Sequence, residues 1–292
     1  MPGINKLIMM VAVVLLATPS KAQAQHELPP PEKIEVPDGG VTVPMLDVGG
    51  RPMVSVTLNG KGPYPLILDT GASVIVIDSS LVADMALPGV PGAPEGVARV
   101  EELAVGGAVL RGVVVGPAPM MAGLGGSNPP RGVLGASSFP GYLLTLNYPA
   151  KTITIRKGSL PPPDDRRIFQ YDAEDILPRV PIKIGGHEFR PHVDSGSPAS
   201  LVLPVSYSSD LPLTTKPVEI GRARTVAGEF PVLSADIAVP IELGEYKLDL
   251  KQIRFSDLRP GPEEPVGNIG FQVLRDFIIT MDSKNHRLKF ER

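Results

Sequence analysis

The stretch Leu66–Ser73, LILDTGAS, ends an apolar run with a single carboxylate, Asp69, and follows it with a turn. Burial of an aspartate in apolar surroundings is unfavourable unless another group shares its proton or pairs with its charge. Asp69 therefore needs a partner, and the rest of the chain must supply it.

A second acid-turn lies at His192–Ser200, HVDSGSPAS, where Asp194 follows Asp69 after 125 residues. In both copies the acid precedes a small hydroxyl residue and a glycine, as Asp-Thr-Gly or Asp-Ser-Gly. Each acid-turn also follows an alternating segment with a Gly-containing turn, at 54–60 and 180–186. Such a segment is typical of a β-hairpin, and its recurrence indicates an internal duplication.

The duplication continues downstream, where Gly132–Gly135 corresponds to Gly267–Gly270 after 135 residues. Without a gap the match extends to Leu144–Asn147 and Ile279–Asp282, each of which opens a terminal hairpin. Each half thus has the order hairpin, acid-turn, hairpin, Gly-x-x-Gly and terminal hairpin. Helices are expected only at Ser79–Met85 and Phe271–Arg275, and both are short.

Composition favours the same architecture. The 292 residues include 34 Pro and 31 Gly with only 5% aromatic residues, which favours many short strands and turns. We predict an all-β protein with two similar halves that pack about a pseudo-twofold axis. The expected boundaries are 41–157 for the first half, 158–175 for a Pro-rich linker and 176–292 for the second half.

The N-terminus has the features of a secretory signal over 1–24. A basic Lys6 precedes an apolar run from Leu7 to Ala17, and Ala22–Ala24 is an Ala-x-Ala cleavage site. These features predict export to the periplasm or the extracellular space, with a signal retained as a membrane anchor as the alternative. Residues 25–40, which include Pro29–Pro31, are expected to be a disordered spacer.

Charge and residue types exclude several functions. The net charge is −3 and there is no basic stripe for nucleic acid, so no nucleic-acid partner is expected. The chain has no Cys, which excludes disulfides and a thiol nucleophile. His187 and His192 match no metal-site spacing, and the Gly-rich segment at 123–127 lacks the Lys of a phosphate loop.

Two carboxylates at a pseudo-twofold axis can act together as an acid and a base. If the halves pack about this axis, Asp69 and Asp194 face each other and cannot both ionise readily, so they share a proton. The ionised member can take a proton from a water between them, while the protonated member polarises a substrate carbonyl. Peptide-bond hydrolysis by this route requires no metal and no cofactor.

The two acid-turns resemble those of pepsin-like aspartic proteases. They resemble more closely those of the exported bacterial group whose short halves are similar to retropepsin subunits joined in one chain. The motif at 69–73 matches the first active-site loop of the family, and Asp194–Ser197 matches the second. An apolar-apolar-Gly motif beneath each loop is matched by Val133–Gly135 and by Ile269-Gly270, but Asn268 stands where an apolar residue is expected.

The resemblance implies two similar β-barrel-like halves, related by a pseudo-twofold axis, with the catalytic cleft between them. It also assigns roles by position. It implies catalysis by Asp69 and Asp194, hydrolysis of an extended peptide or protein substrate, no cofactor, and a monomer with an internal pseudo-dimer. It also implies support of the active-site loops by Thr70, Gly71, Ala72, Ser195, Gly196 and Ser197, with packing beneath them by Leu134, Gly135, Ile269 and Gly270. Either hydroxyl, Thr70 or Ser195, is also compatible with an ordinary turn residue.

Three further expectations follow. Ala72 has no hydroxyl with which to stabilise an ionised carboxylate, so we expect a less acidic working range than in gastric members of the family. A β-hairpin flap over the cleft is expected near Leu87–Gly96, where a plain surface loop is the alternative. In the second half Arg224–Phe230 occupies the corresponding place, and Phe230 is a candidate subsite residue.

Two other functions compete with proteolysis. A peptide- or glycan-binding module on the same fold would grip its ligand without cutting it, although it would not need both carboxylates and both glycines. A two-carboxylate glycosidase fits poorly, because its carboxylates stand further apart and its sugars stack on aromatic residues. The chain contains no Trp.

Overall fold

The computed structural model describes residues 28–118, 124, 128–173, 177–225, 228–257 and 266–292. The predicted signal at 1–24 lies outside the described residues. Within the described ranges no helix is long and apolar enough to cross a membrane.

The first half is built almost entirely of strands. The short helix α1 (Ser79–Asp84) follows β6, where the Asp78 side chain caps it by accepting a hydrogen bond from Ser80 N, and a 3₁₀ helix at Ala136–Ser138 follows β9. The strands are β1 (Lys33–Glu35), β2 (Val41–Pro44), β3 (Leu46–Val48), β4 (Arg51–Leu58), β5 (Lys61–Asp69), β6 (Ile75–Asp78), β7 (Ala98–Val105), β8 (Ala108–Ala118), β9 (Gly132–Gly135), β10 (Tyr142–Asn147) and β11 (Thr152–Lys157).

The second half repeats this order with shorter strands. Helix α2 (Phe271–Leu274) follows β22, and a 3₁₀ helix at Val205–Ser209 follows β16. The strands are β12 (Ile168–Gln170), β13 (Ile182–Ile184), β14 (His187–Phe189), β15 (His192–Val193), β16 (Leu201–Leu203), β17 (Val218–Thr225), β18 (Gly228–Asp236), β19 (Ile241–Leu243), β20 (Tyr246–Leu248), β21 (Gln252–Phe255), β22 (Asn268–Ile269), β23 (Ile278–Asp282) and β24 (Arg287–Glu291).

Six strands of the first half close into a barrel in the order β4, β5, β9, β6, β8, β7 and back to β4. Alternation along β4 and β5 directs Val56, Leu58, Leu66 and Leu68 into the barrel, where each is at most 1% exposed. The second half uses the same pairing around its acid-turn, with β15 parallel to β22 and β22 antiparallel to β16. Its ladder is divided between a sheet of β14, β13, β19 and β20 and a sheet of β15, β22, β16, β21, β18 and β17.

A fourth sheet joins the halves in the order β12, β24, β23, β10, β11, β2. Strands β10 and β23 are antiparallel, and Thr145 lies opposite Thr280 with their hydroxyl oxygens 3.0 Å apart. These two residues are 135 positions apart, which is the separation of the sequence repeat. An axis between them exchanges equivalent residues, so the predicted all-β class and the two halves about a pseudo-twofold axis are confirmed.

The predictions for individual segments are confirmed for the helices but not for the spacer. Both short helices are confirmed, each one residue shorter at its C-terminus than expected. The disordered spacer is wrong for its described part, because β1 pairs with β8 and the Glu32 carboxylate lies 2.8 Å from Arg99 Nη1. The segment expected as a linker contains β12, which pairs with β24. A free edge strand was available in both cases, and pairing with it satisfies backbone hydrogen bonds that composition alone does not reveal.

Candidate active site

Each acid-turn follows a strand that pairs in parallel with a neighbouring strand. Strand β5 ends at Asp69, which lies beside Gly135 of the parallel strand β9, and β15 leads in the same way to Asp194. A Cβ on Gly135 would stand 2.6 Å from Ala72 O, and one on Gly270 would stand 2.6 Å from Ala199 O. Only glycine permits this close approach of Gly135 and Gly270 to the loops. The predicted packing residues Leu134 and Ile269 are buried beside them.

The hydroxyl residues brace the two loops against each other. Thr70 Oγ1 donates to Val193 O at 2.6 Å and accepts from Ser195 N at 2.9 Å. Ser195 Oγ donates to Leu68 O at 2.8 Å and accepts from Thr70 N at 2.9 Å. The four bonds are equivalent in pairs under the pseudo-twofold axis, so the halves are connected at the site itself.

We expect Ser195→Ala to lower the free energy of unfolding by about 3 kcal/mol, because it leaves a buried carbonyl and a buried N–H without partners. Urea unfolding followed by circular dichroism measures this change. Ser209→Ala is the control, since Ser209 is exposed and its hydroxyl binds, among the described residues, only within its own turn and to Asp210. A change below about 0.5 kcal/mol is expected. A loss under 1 kcal/mol for Ser195→Ala would contradict the bracing role.

The two carboxylates meet at the bottom of the loops. Asp69 and Asp194 are each 1% exposed. A Cβ placed on Gly71 would stand 2.8 Å from Asp194 Oδ1 and 3.1 Å from Asp69 Oδ1, so both carboxylates adjoin the same glycine. Gly71 N and Gly196 N donate to Asp69 Oδ1 at 2.7 and 3.2 Å. The structure therefore brings the two predicted catalytic residues together.

The two acids differ in proton affinity. Burial raises the pKa of Asp69 to about 6, against the opposing effect of the Gly71 and Gly196 N–H groups. Burial, and then the charge of Asp69, raise the pKa of Asp194 well above its usual range. With two glycine N–H groups on its oxygen, Asp69 is the member that ionises first, and Asp194 retains the shared proton.

Arg51 was not identified from the sequence. It begins β4, is 6% exposed, and its Nε donates to Gly196 O at 3.0 Å. Burial lowers the pKa of Arg51, whereas the charges of Asp194 and Asp69 raise it. A cation thus lies behind the second loop and favours ionisation of the pair. No spacing or motif marks this arginine, because it lies outside both acid-turns.

The residues after each glycine do not contact the carboxylates in the same way. Ala72 packs in a small apolar cluster with Ile67 and Val133. The hydroxyl of Ser197 accepts a weak hydrogen bond of 3.4 Å from Ala199 N, within its own loop. Asn268, which stands where an apolar residue was expected, contacts a carboxylate instead: its Nδ2 donates to Asp194 Oδ2 at 2.8 Å.

The predicted flap hairpin is not formed at Leu87–Gly96. This largely exposed segment has a single β-bridge, from Gly89 to Ala98, and it contains three prolines that lack the N–H needed for a ladder. It is the surface loop that was the alternative expectation. In the second half a long hairpin of β17 and β18 occupies the corresponding place, with Phe230 half-buried on β18. The side chains of 224–228 lie outside the described part.

Comparison with known proteins supports the architecture. A family model described as aspartyl protease matches residues 54–138, which include the first acid-turn but not the second. Among solved structures, the aspartic proteinase from Irpex lacteus is similar with a TM-score of 0.54 and 12% sequence identity. The alignment covers 86% of this chain and 96% of that one. A search of curated proteins finds no match. The chain therefore has the fold of the pepsin-like aspartic proteinases.

Proposed function

We propose that this protein is an aspartic endopeptidase in which Asp69 and Asp194 activate a water molecule for attack on a peptide bond. The observation that carries the proposal is the meeting of two buried carboxylates at Gly71, on loops that brace each other reciprocally. Their unequal proton affinities supply a base and an acid in one place. The matches to aspartyl proteases in family model and fold support the same class of reaction.

The chemistry follows from the protonation states. Ionised Asp69 takes a proton from the water as its oxygen attacks the carbonyl carbon, and protonated Asp194 gives its proton to the carbonyl oxygen. In the resulting tetrahedral intermediate the C–N bond breaks when the amide nitrogen receives the proton held by Asp69. The intermediate carries two hydroxyls on the former carbonyl carbon, and one of them returns a proton to Asp194. The products are a carboxylic acid and an amine, and the dyad is restored. Burial of the two carboxylates strengthens the electrostatic interactions that favour these proton transfers, because bulk water is excluded from the site.

We further propose an extended segment of a protein as the substrate and an exported location for the enzyme. The substrate class follows from the resemblance of both loops to those of the protease family. The location follows from the signal-like sequence at 1–24, in which an apolar run of 11 residues from Leu7 to Ala17 precedes Ala-x-Ala. Purification of the mature protein from a periplasmic or culture fraction, with its N-terminus sequenced, tests this location.

The pH dependence of cleavage tests the reaction. Below pH 6 Asp69 becomes protonated and no base remains, so kcat/KM should rise with pH through about 6 and fall again when Asp194 loses its proton. Casein or a peptide library is incubated with the protein from pH 3 to 8, and new termini are identified by mass spectrometry. A profile that peaks below about pH 3, or no cleavage at any pH, would contradict the proposal.

A further inference from the structure

The duplicated halves differ at one position that faces a carboxylate. In the first half Val133 pairs with Ile67 on β5 and with Val76 on β6. In the second half Asn268 occupies the equivalent position, between His192 on β15 and Val202 on β16. Both residues are buried, with exposures of 1% and 5%. A buried amide has replaced an apolar side chain, and a buried amide needs a hydrogen-bond partner.

That partner is Asp194. Asn268 Nδ2 donates to Asp194 Oδ2 at 2.8 Å, whereas Val133 has no donor for Asp69. Asp69 is held through its Oδ1 by the two loop glycines. The two carboxylates are therefore oriented by different groups, although the loops that carry them are related by symmetry.

The amide determines which oxygen of Asp194 remains for chemistry. With Oδ2 engaged by Asn268, the other oxygen, Oδ1, lies against Gly71 and Asp69. Asp194 Oδ1 is buried and accepts no hydrogen bond from an N–H or O–H group in the described part of the chain. It is the atom on which a proton shared with Asp69 would sit.

We propose that Asn268 is a positioning residue of the dyad, whose amide orients Asp194 so that Oδ1 holds the shared proton, and which stabilises Asp194 after that proton has left. The inference rests on the proposed function, because it gives Asn268 a role in the same reaction. It is specific to the second half, since Val133 cannot perform it for Asp69.

Other charged and titratable groups also act on Asp194. Asp69 opposes its ionisation from the facing loop, whereas the backbone N–H of Ser197 and the charge of Arg51 at the start of β4 favour it. His192 pairs with Asn268 in the sheet and Arg179 bridges to His192, while Arg254 lies beside Val202. Tyr148 stays neutral because burial, and then the charge of Asp69, raise its pKa. All of these groups remain when Asn268 alone is replaced, so a difference between variants reports on the amide.

The test compares Asn268→Val with the wild type. Valine fits the equivalent position of the first half and has no N–H. Loss of a donor to the ionised form raises the pKa of Asp194, so the descending limb of the kcat/KM profile should move up by about one pH unit. The ascending limb near pH 6 belongs to Asp69 and should stay in place. We also expect kcat to fall about 10-fold with KM changed less than about twofold, because orientation of the acid matters only in the transition state.

Val133→Ala is the matched control. It removes packing beneath the first loop, where Val133 is 1% exposed, and leaves the hydrogen bonds of both carboxylates intact. It should lower stability and leave both limbs of the profile unmoved. If Asn268→Val lowers kcat/KM uniformly without moving the descending limb, or if both variants move it equally, Asn268 is a packing residue and the inference is wrong.

A second measurement does not depend on turnover. Carbon-13 NMR of aspartate carboxyls reports the two apparent pKa values of the pair in the intact protein. The upper value should rise by about one unit in Asn268→Val and in the bulkier Asn268→Leu, and stay unchanged in Val133→Ala. If the wild type cleaves nothing, the proposed function fails, yet this titration still decides the role of Asn268. An unchanged upper value in both Asn268 variants would overturn it.

Discussion

Asp69→Asn is expected to reduce peptide cleavage by about 10⁴-fold, because asparagine cannot accept the proton of the attacking water. The substitution keeps the shape of the side chain, and its Oδ1 can still accept the N–H groups of Gly71 and Gly196. Asp194→Asn should be equally inactive, since an amide cannot give up a proton to the carbonyl oxygen. Release of peptides from casein at pH 7 measures both effects.

Asp69→Asn should also be more stable than the wild type at neutral pH. The pKa of Asp69 is about 6 in the folded protein and 3.8 by reference, so the folded state binds this proton more tightly than the unfolded state. The resulting stabilisation is complete below about pH 4 and is lost as the pH rises through 6. Asp69→Asn avoids the penalty of the buried charge, and we expect its free energy of unfolding at pH 7 to increase by about 2–3 kcal/mol.

Asp249→Asn is the control for both measurements. Its side chain is 83% exposed and, in the part of the chain that the structure describes, pairs only with Lys251. Activity and stability should therefore stay within error of the wild type. Two results would contradict the assignment of Asp69. One is cleavage by Asp69→Asn at more than a hundredth of the wild-type rate, and the other is a variant less stable at pH 7 than the wild type.

Gly196→Ala should reduce kcat/KM by about 100-fold or more. A Cβ at this position would overlap the Asp69 carboxylate, with Asp69 Cγ only 2.6 Å away. The carboxylate cannot turn aside freely, because Gly71 N and Gly196 N both hold its Oδ1. The added methyl group must therefore displace the base or the second loop, and a displacement of about 1 Å can cost about 10²-fold in rate.

Gly39→Ala provides the comparison for this substitution. A Cβ on Gly39 would meet nothing within 4 Å, and its φ does not lie in the left-handed region. We expect cleavage by Gly39→Ala at the wild-type rate and a similar melting temperature. Activity of Gly196→Ala within about threefold of the wild type would show that the space between the loops is not needed for the reaction.

Much of the architecture could be predicted from the order of motifs along the chain. The separation of 135 residues between the terminal hairpins reappears as the pairing of Thr145 with Thr280 on the axis. The hydroxyls of Thr70 and Ser195 could be assigned because a hydroxyl beside each acid can reach the partner turn. These features depend on local sequence repeated in register, which is visible without coordinates.

Other features could not be predicted in this way. Strand β1 lies in a segment whose proline content suggested disorder, but an open edge of β8 accepts it. The flap expected at Leu87–Gly96 is a loop, because its prolines cannot donate to a ladder. Arg51 contacts Gly196, which is 145 residues away in sequence, and no local pattern predicts such a contact.

The repeat along the chain is enough to pair the two acid-turns, because duplication preserves the order and spacing of residues along a covalent chain. The difference between the two acids arises only in the folded protein. Proton affinity depends on burial and on hydrogen bonds from groups distant in sequence, such as Gly196 N for Asp69 and Asn268 Nδ2 for Asp194. Such contacts exist only once the strands are packed, so two similar sequence motifs carry acids of different proton affinity.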